Sequence, residues 1–254
     1  MDKSFDLADR RILITGAASG MGRAFAQLAA ADGAHVGLLD IDGRGLDETM
    51  TMLEGDGRRI GVPVDLAEWA ETEAAIDEVR GTLGGFDAVC NVAGWDGPGR
   101  FWEQSYEQWQ KLIAVNLWSA LHVCRATVPD LIEQRSGTIV NVSSDAGRVG
   151  SKGETVYAAA KGGVMALTKS LGRELAPHNV TINCICPGPT MTPLLEQEMR
   201  DNPKLIEKLI RAVPMGRAGE AEDMARAIAF FAAPASSYIT GQILSVSGGL
   251  TMVG

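Results

Sequence analysis

Histidine, tyrosine and cysteine are scarce in this chain, at 3, 3 and 4 residues of 254. His35, His122 and His178 stand apart from one another and from the cysteines, so nothing completes a tetrahedral metal site and no metal is expected. Cys90, Cys124, Cys184 and Cys186 each sit in an apolar stretch, which reads as buried thiols of a reducing compartment rather than a disulfide frame. Positive charge is short as well. Lys+Arg 23 against Asp+Glu 32 gives a formal net charge of -9, with no basic block, which argues against nucleic acid as a partner. No apolar run approaches the roughly 20 residues of a membrane span, and Met1 to Arg11 is polar and mixed in charge. Neither a membrane nor a targeting segment is expected, and the default location is cytoplasmic.

What is present is an ordinary globular composition, 46% hydrophobic and 22% charged, with no linker-like tract to divide residues 1–254. Strand-length apolar runs occupy Arg11–Thr15, His35–Asp40, Ile60–Asp65, Ala88–Asn91, Thr138–Ser143, Val180–Cys186 and Ile243–Val246. The first six are nearly continuous in apolar residues rather than alternating, as in strands covered on both faces. Helical patterns fall between them at Met21–Asp32, Glu68–Leu83, Tyr106–Leu131, Val156–Leu175 and Glu220–Ala233. The alternation predicts a single α/β domain, a doubly wound Rossmann-type fold with a seven-stranded parallel sheet and helices on both faces. Ligands of such sheets lie beyond the carboxyl ends of the strands. The longest irregular stretch, Pro187 to about Asn202, is read as a loop that folds over a substrate.

Thr15-Gly16-Ala17-Ala18-Ser19-Gly20-Met21-Gly22 follows the first strand and opens the first helix. Glycines at Gly16, Gly20 and Gly22 let the backbone approach a pyrophosphate, and the helix N-terminus offers unpaired N–H groups; Ser19 and Met21 belong to the same turn. Asp40 ends the second strand at about the ~20-residue spacing of a carboxylate that meets the adenosine ribose hydroxyls. A carboxylate there repels a 2′-phosphate, Ile41 brings no positive charge, and Ala17 to Ser19 contain no Lys or Arg. The expected cofactor is NAD. Arg44 is the one nearby cation that could swing back toward a phosphate.

Tyr157 and Lys161 sit one turn apart in a helical segment and share a face. An ammonium beside a phenol favours the phenolate and makes Tyr157 a usable acid/base near neutral pH. Ser143 and Ser144 close the fifth strand, where a hydroxyl can hold a carbonyl oxygen or merely cap a helix. Asn116 stands inside an apolar helix at Val115-Asn116-Leu117 and needs a buried partner.

Together these residues resemble the short-chain dehydrogenase/reductase family over essentially the whole chain. The glycine turn, Asp65, Asn91-Val92-Ala93-Gly94, Asn116, Ser144, Tyr157 with Lys161, and Pro187-Gly188 through Thr192 carry the resemblance. It implies that Tyr157 is the general acid/base, Ser144 orients the substrate oxygen, Lys161 binds the nicotinamide ribose, and Asn116 seats a proton-relaying water. It further implies that Asp65, with Leu66, contacts the adenine, that Asn91, Ala93 and Gly94 line the adenosine side, and that Pro187, Gly188, Thr190 and Thr192 hold the nicotinamide end. The departures are Val92 for a second Asn and Ser247 for an Asp, both structural positions. A closer likeness in Arg148-Val149-Gly150-Ser151, Tyr157 to Gly163, Cys186 to Thr190 and Ser245 to Met252 implies a cyclic β-hydroxyacyl-CoA thioester as substrate. Trp95, Met191, Leu194 and Leu195 are candidate apolar walls, and Arg148, Lys152 and Lys204 candidate rim cations for CoA phosphates. Two alternatives stand beside this: reduction of carrier-protein-bound β-ketoacyl groups or dehydrogenation of simple secondary alcohols, and a non-catalytic nucleotide-binding regulatory module. Homotetramers are implied, through helices matching Trp109–Leu131 and Val156–Leu175, with Leu250 to Val253 at an interface.

Overall fold

The computed structural model describes residues 5–201 and 203–253. The chain opens with β1 (Arg11–Thr15), α1 (Gly20–Ala31), β2 (His35–Asp40), α2 (Gly43–Met52), β3 (Arg59–Pro63), α3 (Trp69–Leu83) and β4 (Ala88–Asn91). It continues through α4 (Tyr106–Ile113), a π-helical turn (Ala114–Trp118), α5 (Ser119–Gln134), β5 (Gly137–Val142), α6 (Asp145–Val149), α7 (Thr155–Leu175) and β6 (Val180–Pro187). It closes with β7 (Thr190–Met191), α8 (Pro193–Asp201), α9 (Pro203–Arg211), β8 (Gly219–Glu220), α10 (Ala221–Ala232) and β9 (Ile243–Val246).

Seven strands form one sheet in the order β3-β2-β1-β4-β5-β6-β9, every neighbouring pair parallel. Successive residues of β1 face opposite sides, so Ile12 and Ile14 join one core with α1 and α10, and Leu13 joins the other with α3 and α5. Both faces of the sheet are therefore covered, which explains the unbroken apolar runs. Each fully buried Leu or Ile contributes roughly 1.5–3 kcal/mol of burial free energy. The strand order reverses between β1 and β4, and a crevice opens there at the carboxyl ends.

Three stretches depart from the sequence reading. Helix α2 was not anticipated, because Leu46 is its only fully apolar buried side chain; the Asp42 carboxylate, accepting from Gly45 N at 3.0 Å, starts it. The expected single helix Tyr106–Leu131 is interrupted by the π turn around Asn116. The expected loop from Pro187 to about Asn202 is instead β7, a short strand paired with β8, followed by α8. Pro193 opens that helix at the position where a missing N–H costs nothing, and Thr192 caps it, its carbonyl accepting from Glu196 N at 2.9 Å. Asn202 itself lies outside the described residues.

Candidate active site

The glycine turn is pressed against the turn after β4. Thr15 Oγ1 accepts from Val92 N at 3.0 Å and Ala93 N at 3.1 Å, so the two strand ends are fixed to each other. Gly16 has φ +67°, and a Cβ there would stand 2.8 Å from the Ala93 backbone; a Cβ on Gly22 would stand 2.0 Å from the Gly16 oxygen. Across the gap, a Cβ on Gly20 would meet Thr192 at 3.4 Å. Ser19 precedes α1 without a side-chain cap bond, which leaves first-turn N–H groups for a ligand. The turn borders a cleft of about 390 Å³ lined by Gly16, Ser19, Gly20, Met21, Gly22, Asp40, Asp65, Leu66, Ala93, Gly94 and Thr192, among others. Asp40 is held at the strand end, its Oδ2 accepting from Ala18 N at 2.9 Å and Oδ1 from Asp42 N at 3.0 Å. A cradle that only glycines permit, free helix N–H groups and a fixed carboxylate are a donor set that fits a dinucleotide.

A second cleft, also about 390 Å³, shares Met21 and Thr192 with the first and is lined by Ser144, Tyr157, Pro187, Gly188 and Thr190. Tyr157 and Lys161 come from the first turns of α7, with the Lys161 Nζ 5.7 Å from the Tyr157 ring centroid. Lys161 is 3% exposed, and Nζ donates to Val142 O at 3.1 Å. Burial lowers its pKa from 10.5 to about 8, against the opposing pull of Cys184, Cys186 and Asp96. Ser143 Oγ donates to Lys161 O at 2.8 Å and anchors α7 to the strand end. Ser144 Oγ accepts from Ala146 N at 3.1 Å, so it caps α6, and that acceptor role leaves its own O–H to be donated into the cleft.

Two of these residues are tied up by contacts within the protein. Asn91 is not part of the cleft lining: its Nδ2 donates inward to Asn141 Oδ1 of β5 at 2.8 Å and to Cys124 Sγ of α5 at 3.6 Å. The Asn116 amide is held by the backbone around it. Its Nδ2 donates to Trp95 O at 2.7 Å and Leu112 O at 2.9 Å while Oδ1 accepts from Trp95 N at 3.2 Å, so it staples the π turn to the loop after β4. Among the candidate walls, Trp95 borders the first cleft and Leu195 the second, whereas Met191 packs beside Leu195, Ile206 and Ala218. The side chain of Leu194 lies outside the described residues. Arg148 is committed elsewhere, donating to Ile243 O, Ser245 Oγ and Val253 O; Lys152 and Lys204 are exposed.

Sequence reasoning missed Lys111, Val115 and Ser119, which line the first cleft from one helix face, with Lys111 Nζ 4.2 Å over the Trp95 ring. Their spacing of one turn and then another was the available signal. It also missed Asp96, Asp145 and Glu154 in the second cleft, whose positions are meaningful only once the loops are brought together.

A family model described as enoyl-(acyl carrier protein) reductase matches residues 16–251. The chain belongs to the short-chain dehydrogenase/reductase family. Members of this family are oxidoreductases that use nicotinamide cofactors. Within it, the chain is 37% identical over 241 residues to a 3-oxoacyl-[acyl-carrier-protein] reductase of Thermotoga maritima, covering 94% of this chain and 97% of the relative. It is 35% identical over 250 residues to the (3R)-3-hydroxyacyl-CoA dehydrogenase of Homo sapiens, covering 94% and 95%. The crystal structure of levodione reductase, another relative, superposes with a TM-score of 0.92 at 29% identity, covering 95% of this chain and 97% of that one. Among the described residues no helix is long and apolar enough to cross a membrane.

Proposed function

We propose that this chain is an NAD-dependent dehydrogenase of β-hydroxyacyl thioesters, with a cyclic β-hydroxyacyl-CoA as the preferred substrate and Tyr157 as the acid/base. The observation that carries the reading is a pair of adjoining clefts that share Met21 and Thr192, with the glycine cradle and Asp40 in one and Ser144 with Tyr157 in the other. When bound, the nicotinamide supplies or accepts the hydride. The chain's own residues then manage one oxygen. Ser144 donates its hydroxyl to that oxygen, and Tyr157 takes the proton on oxidation or returns it on reduction. Lys161, close under the Tyr157 ring, favours the phenolate and offers its remaining N–H groups to the nicotinamide ribose.

Asp40 supports NAD over NADP, since its carboxylate faces ribose hydroxyls well and a 2′-phosphate badly. Arg44 does not offset it: the side chain is 90% exposed, pairs with Glu48 at 3.6 Å and is not part of the cleft lining. The β-oxygenated acyl substrate rests on the relatives' names and on segments such as Arg148 to Ser151 that resemble 2-hydroxycyclohexanecarboxyl-CoA dehydrogenase. Reduction of carrier-protein-linked β-ketoacyl groups is the second reading, favoured by the same names. We further propose that α8 and α9 cover the bound substrate and that the enzyme is a cytoplasmic homotetramer.

The deciding experiment follows absorbance of the reduced nicotinamide with NAD and NADP, against cyclic and linear β-hydroxyacyl-CoAs and simple secondary alcohols. Turnover with NAD and CoA thioesters is expected. Preference for NADP, or turnover of simple alcohols alone, overturns the cofactor or the substrate assignment respectively. Asp40→Ala is expected to erode the preference for NAD by about tenfold or more; an unchanged preference removes the role given to Asp40.

A further inference from the structure

The second cleft is lined by three carboxyl groups, Asp96, Asp145 and Glu154, and by no lysine or arginine among the described residues. Lys161 is not in this lining, but it lies close enough to pull on Asp96, its Nζ donating to Val142 O. Asp96 is only 9% exposed; its Oδ1 accepts from Gly97 N at 2.7 Å, and its carboxyl is hydrogen-bonded to Glu154. Burial raises the Asp96 pKa against the pull of Gly97, Lys161 and Glu154. The pair is held by the backbone too: Gly99 N donates to Gly153 O at 2.8 Å, joining the loop after β4 to the loop that opens α7. Independently, Asp145 is 5% exposed, and while its Oδ1 accepts from Ser245 Oγ at 2.5 Å, its buried Oδ2 has no hydrogen-bond partner. Arg148 reaches that carboxylate only through Ser245, at 3.0 Å.

We propose that Asp96 and Glu154 set the specificity of the substrate cleft, admitting a neutral acyl group beside the reacting carbon and turning away a free carboxylate. The proposal rests on reading this cleft as the substrate site. A thioester or amide carbonyl brings no charge into this cleft. A carboxylate in its place brings another negative charge into a low-dielectric space lined by three carboxyl groups, with an Asp145 oxygen that has no partner and no Lys or Arg among the described lining residues. Rejection by an unfavourable charge, rather than added attraction for the right substrate, is what separates the two.

The test uses acetoacetamide and acetoacetate, which match in size and differ in charge, reduced by the full-length enzyme with NADH. The amide is expected to exceed the acid in kcat/KM by about a hundredfold or more. The ratio should fall below about tenfold in Asp96→Asn and in Glu154→Gln, mainly through a lower KM for the acid. A merely structural role for the pair would lower both activities and leave the ratio alone. If D96N fails to fold, E154Q at the more exposed partner supplies the same readout. Equilibrium binding of the two compounds in the presence of NAD measures the same ratio without turnover. Acid and amide within about threefold of each other in the wild-type enzyme, or a ratio unchanged in folded variants, overturns the proposal. Discrimination that persists while β-hydroxyacyl thioesters are not turned over instead overturns the thioester assignment and leaves this one standing.

Discussion

At the scale of single residues, the phenol and the ammonium of α7 have separable consequences. Tyr157→Phe removes the O–H that exchanges with substrate oxygen and leaves the packing of the ring, so kcat should fall by about 10²- to 10⁴-fold. Titration of NAD by fluorescence should show binding preserved; undiminished turnover would remove Tyr157 from the chemistry. Lys161 makes a claim about stability. Its pKa is about 8 in the fold and 10.5 as an ordinary lysine, so between these values the unfolded chain holds more protons than the folded one. Stability therefore rises with pH across that window, and below about 8 the fold bears the full cost of a buried ammonium. In Lys161→Met that cost is gone. The melting temperature of the variant minus that of the wild type should be largest near neutrality and shrink as pH climbs toward 10.5; a difference that does not change with pH would contradict the depressed lysine.

At the scale of elements, the turn joining β1 to α1 is the tightest constraint in the crevice. A methyl group at Gly22 would lie 2.0 Å from the Gly16 carbonyl oxygen, backbone against backbone, so the turn must open to admit it. Gly22→Ala is expected to cost about 1–3 kcal/mol of stability and to weaken NAD binding, measured by urea titration and calorimetry. Normal affinity in that variant would mean that the turn is not the pyrophosphate cradle. The same turn was legible in the sequence, as were the seven strands of the main sheet, because burial on both faces writes continuous apolar runs. Helix α2 was illegible for the opposite reason: it rests on the fold by Leu46 and little else, and its start depends on the single Asp42 cap. Helix α8 hid behind Pro193, which reads as a loop residue and serves as a helix opener. Tyr157, Lys161 and Ser144 could be found because one turn of helix and one strand end place them. Asp96 and Glu154 could not, since they meet only where the Gly99–Gly153 contact brings two loops together.

At the scale of the molecule, two surfaces are apolar without a covering element. The sheet ends at β9, which carries exposed Leu244, and α10 exposes Phe230. A bare edge strand with an apolar side chain invites a partner. The second surface lies on the long α4–α5 helix, where Trp118 is 51% exposed against the His122 ring at 5.6 Å. A tetramer of twofold symmetry needs distinct interfaces on one protomer, and the two surfaces lie on the edge strand β9 and on the helix that packs over the central strands β4 and β5. If both are used, removing either should leave dimers and removing both should leave monomers. Leu244→Lys and Trp118→Glu place a charge where each contact would be desolvated, at a cost of several kcal/mol if the contact exists and almost none if the surface faces water. Sedimentation velocity of the wild type, the two single variants and the double variant distinguishes these cases. Tetramer, dimer, dimer and monomer is the expected series, whereas an unchanged single species in all four proteins would mean that neither surface joins copies of the chain.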